Sequence, residues 1–255
     1  NTSRDLVSER ALLRVLCAAR CSRHIFHMRL VIIIGILVAA LAFLPSWWVR
    51  RVIRQHSDDR PDFPGSGAEF ARHILGEMRL EQVTVEETDI GDHYDPSDKT
   101  VRLSSAHYHG RSLAAVVIAA HEVGHAMQDA TGYRPLVART RMARAAIWVQ
   151  RVGGILMFGA PILMIITRSP AALLAEVGLA LVILLTSVIM HAVTLPVEFD
   201  ASFKRAMPVL EAGGYISERD RKAARQILWA AALTYVAAAA MTLLDITRWA
   251  RILIR

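Results

Sequence analysis

Residues 30–49 read LVIIIGILVAALAFLPSWWV and contain no charged side chain. In an α-helix, about twenty apolar residues extend over ~30 Å, which matches the hydrocarbon core of a bilayer. Trp47 and Trp48 lie at one end, followed by arginines within residues 50–54, a pattern typical of a membrane–water interface. The stretch therefore predicts a transmembrane helix over residues 28–49, because its proline and bulky tryptophans disfavour a signal-peptide cleavage site.

Three further apolar stretches follow along the chain. Residues 145–195 are apolar apart from a few charges and the turn sequence RSP at 168–170, and they predict a transmembrane hairpin of two helices. Residues 227–247 are rich in alanine and predict a last span, followed by the basic tail 248–255. Together with the first helix, the pattern predicts about four transmembrane helices.

The composition agrees with a membrane protein. Hydrophobic residues make up 54% of the 255 residues and charged residues 21%, and 30 Lys and Arg against 23 Asp and Glu give a net charge of +7. Such apolar content excludes a disordered or collagen-like chain. The basic residues flank apolar runs instead of forming a tract of their own, so the expected partner is a lipid bilayer and not a nucleic acid.

Residues 1–27 lie apart from this pattern. The sequence begins with Asn, and Met28 almost directly precedes the first apolar stretch. We therefore expect Met28 to be the natural start and residues 1–27 to be an extension. The two cysteines, Cys17 and Cys21, both fall in this extension, and we interpret them as neither a disulfide scaffold nor a metal site.

A polar region at residues 50–144 follows the first span. Within it, residues 65–80 have the apolar spacing of a helix. Residues 83–87 and 99–103 alternate like β-strands, and the turn sequence DPS at 95–97 lies between them. This region therefore has the pattern of a small domain that contains both helices and strands.

The sequence HEVGH, which begins at His121, is the most informative motif. Helical residues four apart project from one face, so His121 and His125 can both reach one Zn²⁺ ion, with Glu122 beside it as a general base. Ser112 before an apolar run and Gly132 after it indicate a helix around the motif. A helix with two surface histidines is the alternative, which the apolar flanks disfavour.

A catalytic zinc ion needs a third protein ligand. The candidate is Glu198, in the sequence LPVEFDAS near the start of a second polar region at residues 196–226. A solvated acidic residue at a membrane surface is the alternative. Asp200 is expected to orient a ligand histidine, with Ser202 as the other candidate for that role.

Other polar residues of the first region carry weaker signals. Residues 99–104 are either an edge strand that pairs with an extended substrate or a plain edge strand of a small sheet. We expect His93, His107 and His109 to be surface residues.

Two tyrosines and two polar residues within a predicted span are further candidates. Tyr94 or Tyr133 would stabilise the oxyanion of a tetrahedral intermediate, and the sequence favours neither. His191 and Glu176 lie in an apolar stretch, where they serve either the site or a hydrogen bond between helices.

Four blocks of the sequence read, in order, HYDPSDKTVRLS, GRSLAAVVIAAHEVGHAMQDATGYRPL, LPVEFDASFKRA and AALTYVAAA. In content and order they resemble the YugP-like family of neutral zinc metallopeptidases of bacterial membranes, and the resemblance runs from about Met28 to the C-terminus. More distantly, the layout is similar to the HtpX-like and CAAX-prenyl endopeptidases. The resemblance implies one zinc ion per chain, bound by His121, His125 and Glu198 in a gluzincin-like arrangement, with Glu122 as the catalytic base.

These observations predict a mainly α-helical multipass membrane protein with about four transmembrane helices and a small α+β zincin-like catalytic domain. The predicted function is that of a zinc endopeptidase acting on peptide or membrane-protein substrates, and oligomeric partners are left open. Lysines and arginines near the spans place regions 50–144 and 196–226 in the cytoplasm by the positive-inside rule. The resemblance places the protein in the bacterial inner membrane.

Two alternatives are weighed against this interpretation. A site-2-type intramembrane protease would take its acidic ligand from Asp245, but the apolar run 113–120 is too short for a span ending at His121. A non-catalytic membrane scaffold with a structural zinc is disfavoured by the intact Glu122, because a purely structural site needs no base between its histidines.

Overall fold

The computed structural model describes residues 29, 32, 33, 36, 37, 40, 43–167 and 170–243. The chain divides into two units, Asn1–Leu44 and Pro45–Arg255. In the first unit the described residues are all helical, in agreement with the helix predicted there. The predictions for residues 1–27, for Met28, for the turn residues Arg168 and Ser169, and for Asp245 and the tail 248–255 lie outside the described residues.

The second unit begins with helical residues 45–55, named α1. A small mixed domain follows: α2 Gly67–Glu77, β1 Thr84–Thr88, β2 His93–Asp95, β3 Thr100–Ser104, α3 Ser105–His109 and α4 Leu113–Ala130. Longer helices complete the unit: α5 Arg134–Thr167, α6 Pro170–Phe199, a π-helical segment Asp200–Ala206, α7 Met207–Ala212 and α8 Arg221–Leu243. The described chain is mostly helical with one small sheet, which confirms the α+β part of the predicted fold.

Helix α2 begins at a reciprocal cap. The backbone N–H of Glu69 donates to the hydroxyl of Ser66, and the backbone N–H of Ser66 donates to the carboxylate of Glu69. The apolar face of α2 buries Ile74 and Leu75, and α2 packs against α4. The helix predicted over residues 65–80 is confirmed.

Helix α4 lies at the centre of the small domain. The Ser112 hydroxyl accepts a hydrogen bond from the backbone N–H of Ala115 at its start, and Gly132 adopts a left-handed φ of 61° just beyond its end. Every residue from Leu113 to Ala126 is buried, because α2, the sheet, α8 and the π-helical segment all pack around the helix. The predicted helix around the motif is confirmed, and the alternative with surface histidines is excluded.

The sheet has the strand order β1-β3-β2, with β1 parallel and β2 antiparallel to β3. The strands predicted near residues 83–87 and 99–103 are confirmed as β1 and β3. The interpretation of residues 99–104 as an edge strand is wrong, since β3 is paired on both sides. The edge is formed by β2, which sequence alternation did not predict because it has only three residues.

An ion pair anchors the start of α8 to the loop before α2. Arg60 donates two hydrogen bonds to the carboxylate of Asp220, at 2.8 and 3.0 Å. These bonds lower the pKa of Asp220 to about 2, so the pair stays charged at any ordinary pH. Beyond this anchor Ala224, Ile227 and Leu228 are buried in the core, and α8 is thereby held beside α4.

Helices α5 and α6 pack together as a hairpin with an apolar exterior. Exposed large apolar side chains along the hairpin include Ile147, Trp148, Val152, Ile155, Leu156, Leu174, Leu181, Val182, Leu185 and Ile189. In the described part of the chain, one helical stretch, Val177–Ala212, is long and apolar enough to cross a membrane. The count of about four spans stays a prediction.

The same stretch continues without interruption into the small domain. Pro196 lies inside α6, which extends to Phe199 and is followed directly by the π-helical segment and α7. Proline lacks the backbone N–H that would continue the α-helical hydrogen bonding, and π-helical turns are frequent at functional sites. The chain therefore changes its helical pitch at the predicted third zinc ligand.

Candidate metal centre and active site

One face of α4 presents the two histidines of the motif. His121 and His125 are 5% and 6% exposed, and their ring centroids are 4.7 Å apart. Glu122 follows His121 directly and is 6% exposed. The i, i+4 spacing thus brings both imidazoles together inside the protein, as the sequence predicts.

Glu198, at the end of α6, completes a cluster with these histidines. Its Oε2 atom lies 3.1 Å from Nε2 of His121 and 3.4 Å from Nε2 of His125, and its side chain is 1% exposed. The three residues offer ligand atoms that all lie within 4.8 Å of one another. Two imidazoles and one carboxylate are a donor set that zinc takes in catalytic sites.

Gln128 controls the proton on His125. Its amide NH₂ donates to the carbonyl oxygen of Val197 at 2.8 Å and to Oδ2 of Asp200 at 2.9 Å, and both partners are acceptors. The amide oxygen therefore faces Nδ1 of His125 at 3.0 Å, where it can only accept. The proton of a neutral His125 must be on Nδ1, which leaves the lone pair of Nε2 directed at Glu198.

The π-helical segment supplies the partner of His121. The hydroxyl of Ser202, which is fully buried, lies 3.0 Å from Nδ1 of His121. Asp200 reaches the other histidine only through Gln128, and it also accepts a hydrogen bond from Arg205. The sequence named Asp200 and Ser202 but missed Gln128, whose only signal is its position three residues after His125.

The buried negative charge of Glu198 needs a cation to balance it. Among the described residues none donates a hydrogen bond to Oε1 of Glu198, although this atom is buried. The nearest cation is the Arg139 guanidinium, whose Nη2 atom lies 3.9 Å from Oε1, beyond hydrogen-bonding distance. A buried carboxylate facing an imidazole lone pair is costly, and a divalent metal ion between these atoms would satisfy all of them.

Gly124 allows the two halves of the centre to meet. A Cβ atom at this position would lie 2.8 Å from the carbonyl oxygen of Ala201 in the π-helical segment, closer than such contacts normally occur. Glycine therefore lets the backbone that carries Ser202 approach α4 at the height of the ligands. The H-E-x-x-H motif allows any residue at this position, and in this protein the close packing against Ala201 favours glycine there.

A cavity of about 170 Å³ opens beside the cluster, lined by both histidines, Glu122 and Glu198. Burial raises the pKa of Glu122 to about 7, with further contributions from Glu198 and Asp92. Asp92 also lines the cavity, where it is held by Ser104 and His107. Burial acts to raise the pKa of Asp92, but these hydrogen bonds outweigh it and the pKa is lowered.

The structure also locates the histidines with weaker sequence signals. His107 is buried and lies 2.8 Å from Asp92, so its expected place on the surface is wrong: the turn of α3 directs it inward. His93 is half-buried and lines the cavity, whereas His109 is exposed as expected. His191 is half-buried and is not among the described residues that line the cavity, and the side chain of Glu176 lies outside the description.

The two candidate tyrosines differ in position. Tyr94 lines the cavity, but its hydroxyl donates to Asp129 at 2.7 Å, and burial followed by this bond raises its pKa. Tyr133 is not among the described lining residues, and its ring faces Arg205. Arg139 also lines the cavity, and its Nη2 atom lies 3.9 Å from Oε1 of Glu198.

Comparisons with known proteins bear on this arrangement. The sequence model of a family described as "Putative neutral zinc metallopeptidase" matches residues 31–254. The chain is 35% identical over 225 residues to the "Putative membrane protease YugP" of Bacillus subtilis (strain 168), which covers 88% of this chain and 96% of that protein. No solved structure matches the chain.

Proposed function

Because this chain belongs to the family of neutral zinc metallopeptidases, we propose that it hydrolyses peptide bonds at the centre formed by His121, His125 and Glu198. The predicted family, the enzyme class of zinc metallopeptidase and zinc as the cofactor are confirmed. The roles of individual residues and the endopeptidase mode are part of the proposal.

The observation that carries the proposal is the convergence of three buried ligand atoms, one from each of these residues. The second carboxylate oxygen of Glu198, Oε1, is also buried and receives no hydrogen bond from the described residues. His121 and His125 would bind zinc through Nε2, since Ser202 and Gln128 occupy the Nδ1 atoms. Zinc bound there acts as a Lewis acid, which lowers the pKa of water and polarises a substrate carbonyl.

Glu122 is the general base of the proposed reaction. Its carboxylate lines the cavity directly beside His121, without belonging to the ligand cluster. From there it takes a proton from the attacking water and delivers it to the amine that leaves when the peptide bond breaks. Arg139 is proposed to stabilise the negative charge on the carbonyl oxygen, since its guanidinium reaches the cavity wall beside Glu198.

Strand β2 is the proposed guide for the substrate backbone. His93 and Tyr94 of this strand line the cavity, and in the described part of the chain only β3 pairs with it. An extended peptide added to the open edge would gain backbone hydrogen bonds while its scissile bond lies near Glu122. Pairing with the substrate is therefore assigned to β2 and no longer to residues 99–104.

We further propose a multipass protein of the bacterial inner membrane with its active site on the cytoplasmic side. The apolar exterior of α5 and α6, the stretch Val177–Ala212 and the relative described as a membrane protease support membrane insertion. Peptides or segments of membrane proteins are the proposed substrates. The site-2-type alternative has less support, because Glu198 already forms a ligand set with His121 and His125.

The substitution Glu122→Gln tests the proposed reaction. The amide keeps the shape of the side chain but cannot accept a proton, so peptide hydrolysis by the detergent-purified protein should fall by about 10²–10⁴-fold. Zinc content, measured by metal analysis, should stay near one ion per chain, because Glu122 is not a ligand.

Glu77→Gln is the matched control, since Glu77 is exposed on α2 far along the chain from the motif. Its activity and zinc content should equal those of the wild type. Undiminished hydrolysis by Glu122→Gln would contradict the proposed mechanism, and a purified wild-type protein that holds zinc but cleaves no peptide would favour the scaffold alternative.

A further inference from the structure

The residues that line the cavity beside the metal centre differ in character. The ligand cluster, Glu122, Asp92 and Arg139 are polar or charged. The part of the lining that comes from α1 and α8, named the apolar wall, contains no charged residue. Its residues from α1 are Val49 and Ile53, and those from α8 are Ile227, Ala231 and Thr234.

The spacing of these residues shows that each helix turns one face to the cavity. Val49 and Ile53 are four residues apart, and Ile227, Ala231 and Thr234 follow at intervals of four and three. Such intervals place side chains on the same side of a helix. The apolar wall is therefore formed by regular helices whose positions are fixed by packing, not by mobile loops.

Both helices are held firmly against the small domain. Val49 and Ile227 are 7% and 1% exposed and belong to the hydrophobic core. The Arg60–Asp220 ion pair fixes the start of α8. A wall built in this way keeps its distance from Glu122, as a specificity pocket requires.

Ala231 is the small residue in this wall. It is half-buried and lies one turn after Ile227 and about one turn before Thr234, between two larger side chains. The cavity of about 170 Å³ is lined both by this wall and by the ligand cluster, so a side chain seated against Ala231 lies in the same space as the metal centre.

We propose that the wall formed by α1 and α8 is a side-chain subsite, which accepts one apolar residue next to the scissile bond and whose size limit is set by Ala231. This inference rests on the proposed peptidase function and deepens it. A charged side chain seated against this wall would lose its hydration without finding an ionic partner on either helix, so a Lys at that position is disfavoured relative to Leu or Phe.

The substitution Ala231→Leu tests the size limit. The detergent-purified full chain is assayed with a panel of peptides in which each residue flanking the scissile bond is Ala, Leu, Phe or Lys in turn. For the wild type, kcat/KM should be highest with Leu or Phe at one flanking position and lowest with Lys. In Ala231→Leu, kcat/KM for the preferred peptide should fall by about 10–200-fold, the range that a misfitting apolar group produces.

The change should be selective. With Ala at the same position of the peptide, Ala231→Leu should alter kcat/KM by less than about threefold, because the smaller side chain does not reach the added leucine. Zinc content should be unchanged. Ala223→Leu is the control, since Ala223 is a half-buried alanine of α8 outside the cavity lining, and its peptide profile should match that of the wild type.

The substitution Ala231→Gly provides an independent variant in the opposite direction, and it should shift the preference toward Phe. Equal loss of activity toward every peptide, or an unchanged profile in both variants, would overturn the subsite. A wild type that cleaves none of the panel while holding zinc would overturn the proposed function itself, so the two failures are distinguishable.

Discussion

Gln128 connects the two halves of the metal centre through a single amide. Its oxygen accepts from His125 on α4, and its NH₂ group donates to Val197 and Asp200 beyond Pro196. Val197 and Asp200 are both acceptors, so the amide of Gln128 can be oriented in only one way, with its oxygen toward His125. This orientation fixes the tautomer of His125 before a metal ion binds. Its fully buried position means that no water can take over these bonds.

The substitution Gln128→Ala should therefore weaken zinc binding. Loss of the amide frees the His125 ring to change its tautomer and leaves Asp200 without one donor, so zinc affinity should fall by about 10–100-fold. Competition with a chelating dye measures the affinity directly. Gln226→Ala, at an exposed position of α8, is the control and should bind zinc as the wild type does. Equal affinities in the two variants would exclude this role.

Site residues that lie close together along the chain are predicted by their spacing, whereas those whose partners are far along the chain are harder to predict. His121, Glu122 and His125 follow from helical spacing alone. Glu198 was predicted from its surroundings, and the structure brings it to both histidines over a sequence separation of 77 residues from His121. Gln128 could not be predicted, because a glutamine on a buried helix has no distinctive pattern until its partners are folded around it.

Among the secondary-structure elements, the π-helical segment is the part of the site that sequence periodicity could not predict. It follows α6 directly and turns Asp200 and Ser202 toward the centre of the protein, where both are buried. Sequence periodicity assumes 3.6 residues per turn, so it cannot predict a local change of pitch. Likewise, β2 is too short for alternation to be recognised, whereas the longer β1 and β3 were predicted correctly.

The contact between this segment and α4 gives a prediction for Gly124→Ala. The added methyl group would lie 2.8 Å from the carbonyl oxygen of Ala201, so the segment must shift away from α4. We expect a loss of about 1–3 kcal/mol in the free energy of unfolding and weaker zinc binding, measured by denaturation and by metal competition.

Gly76→Ala is the matched control for this substitution. Apart from its chain neighbours and the backbone of its own helix, no described heavy atom lies within 4 Å of a Cβ placed there, and Gly76 is exposed near the end of α2. The alanine should leave zinc binding unchanged and should stabilise the protein by up to about 1 kcal/mol. If Gly124→Ala behaved in the same way, close backbone approach would not be the reason for glycine in the motif.

For the whole molecule, composition and hydropathy predict the class of protein but not where the membrane part ends. The third span was expected to give way to a polar region after Leu195, whereas the helix continues to Phe199 and, with the π-helical segment and α7, to Ala212. Hydropathy averages over a window and therefore cannot detect that a buried carboxylate such as that of Glu198 occupies the same helix as exposed apolar side chains.

Labelling of single cysteines tests the proposed orientation. In a chain with Cys17 and Cys21 replaced by serine, Glu77→Cys and Glu218→Cys report on the two polar regions, and Ser169→Cys reports on the predicted turn of the hairpin. In intact bacterial cells a membrane-impermeant maleimide should label only Ser169→Cys, because the basic regions stay in the cytoplasm. After lysis all three should react.

The opposite pattern, with Glu77→Cys and Glu218→Cys labelled in intact cells, would reverse the orientation. Protection of all three positions until lysis would show that the hairpin does not cross the membrane. Activity of each variant in detergent, compared with that of the wild type, verifies that the folded state is being labelled.

The order of the ligands along the chain has a consequence for biosynthesis. A ribosome completes the helix with His121 and His125 well before it reaches Glu198, which lies near the end of α6. The newly made polypeptide therefore has an incomplete metal centre until α5 and α6 have come together. The proposed proteolytic activity therefore arises only after α6 has been made and packed against the small domain.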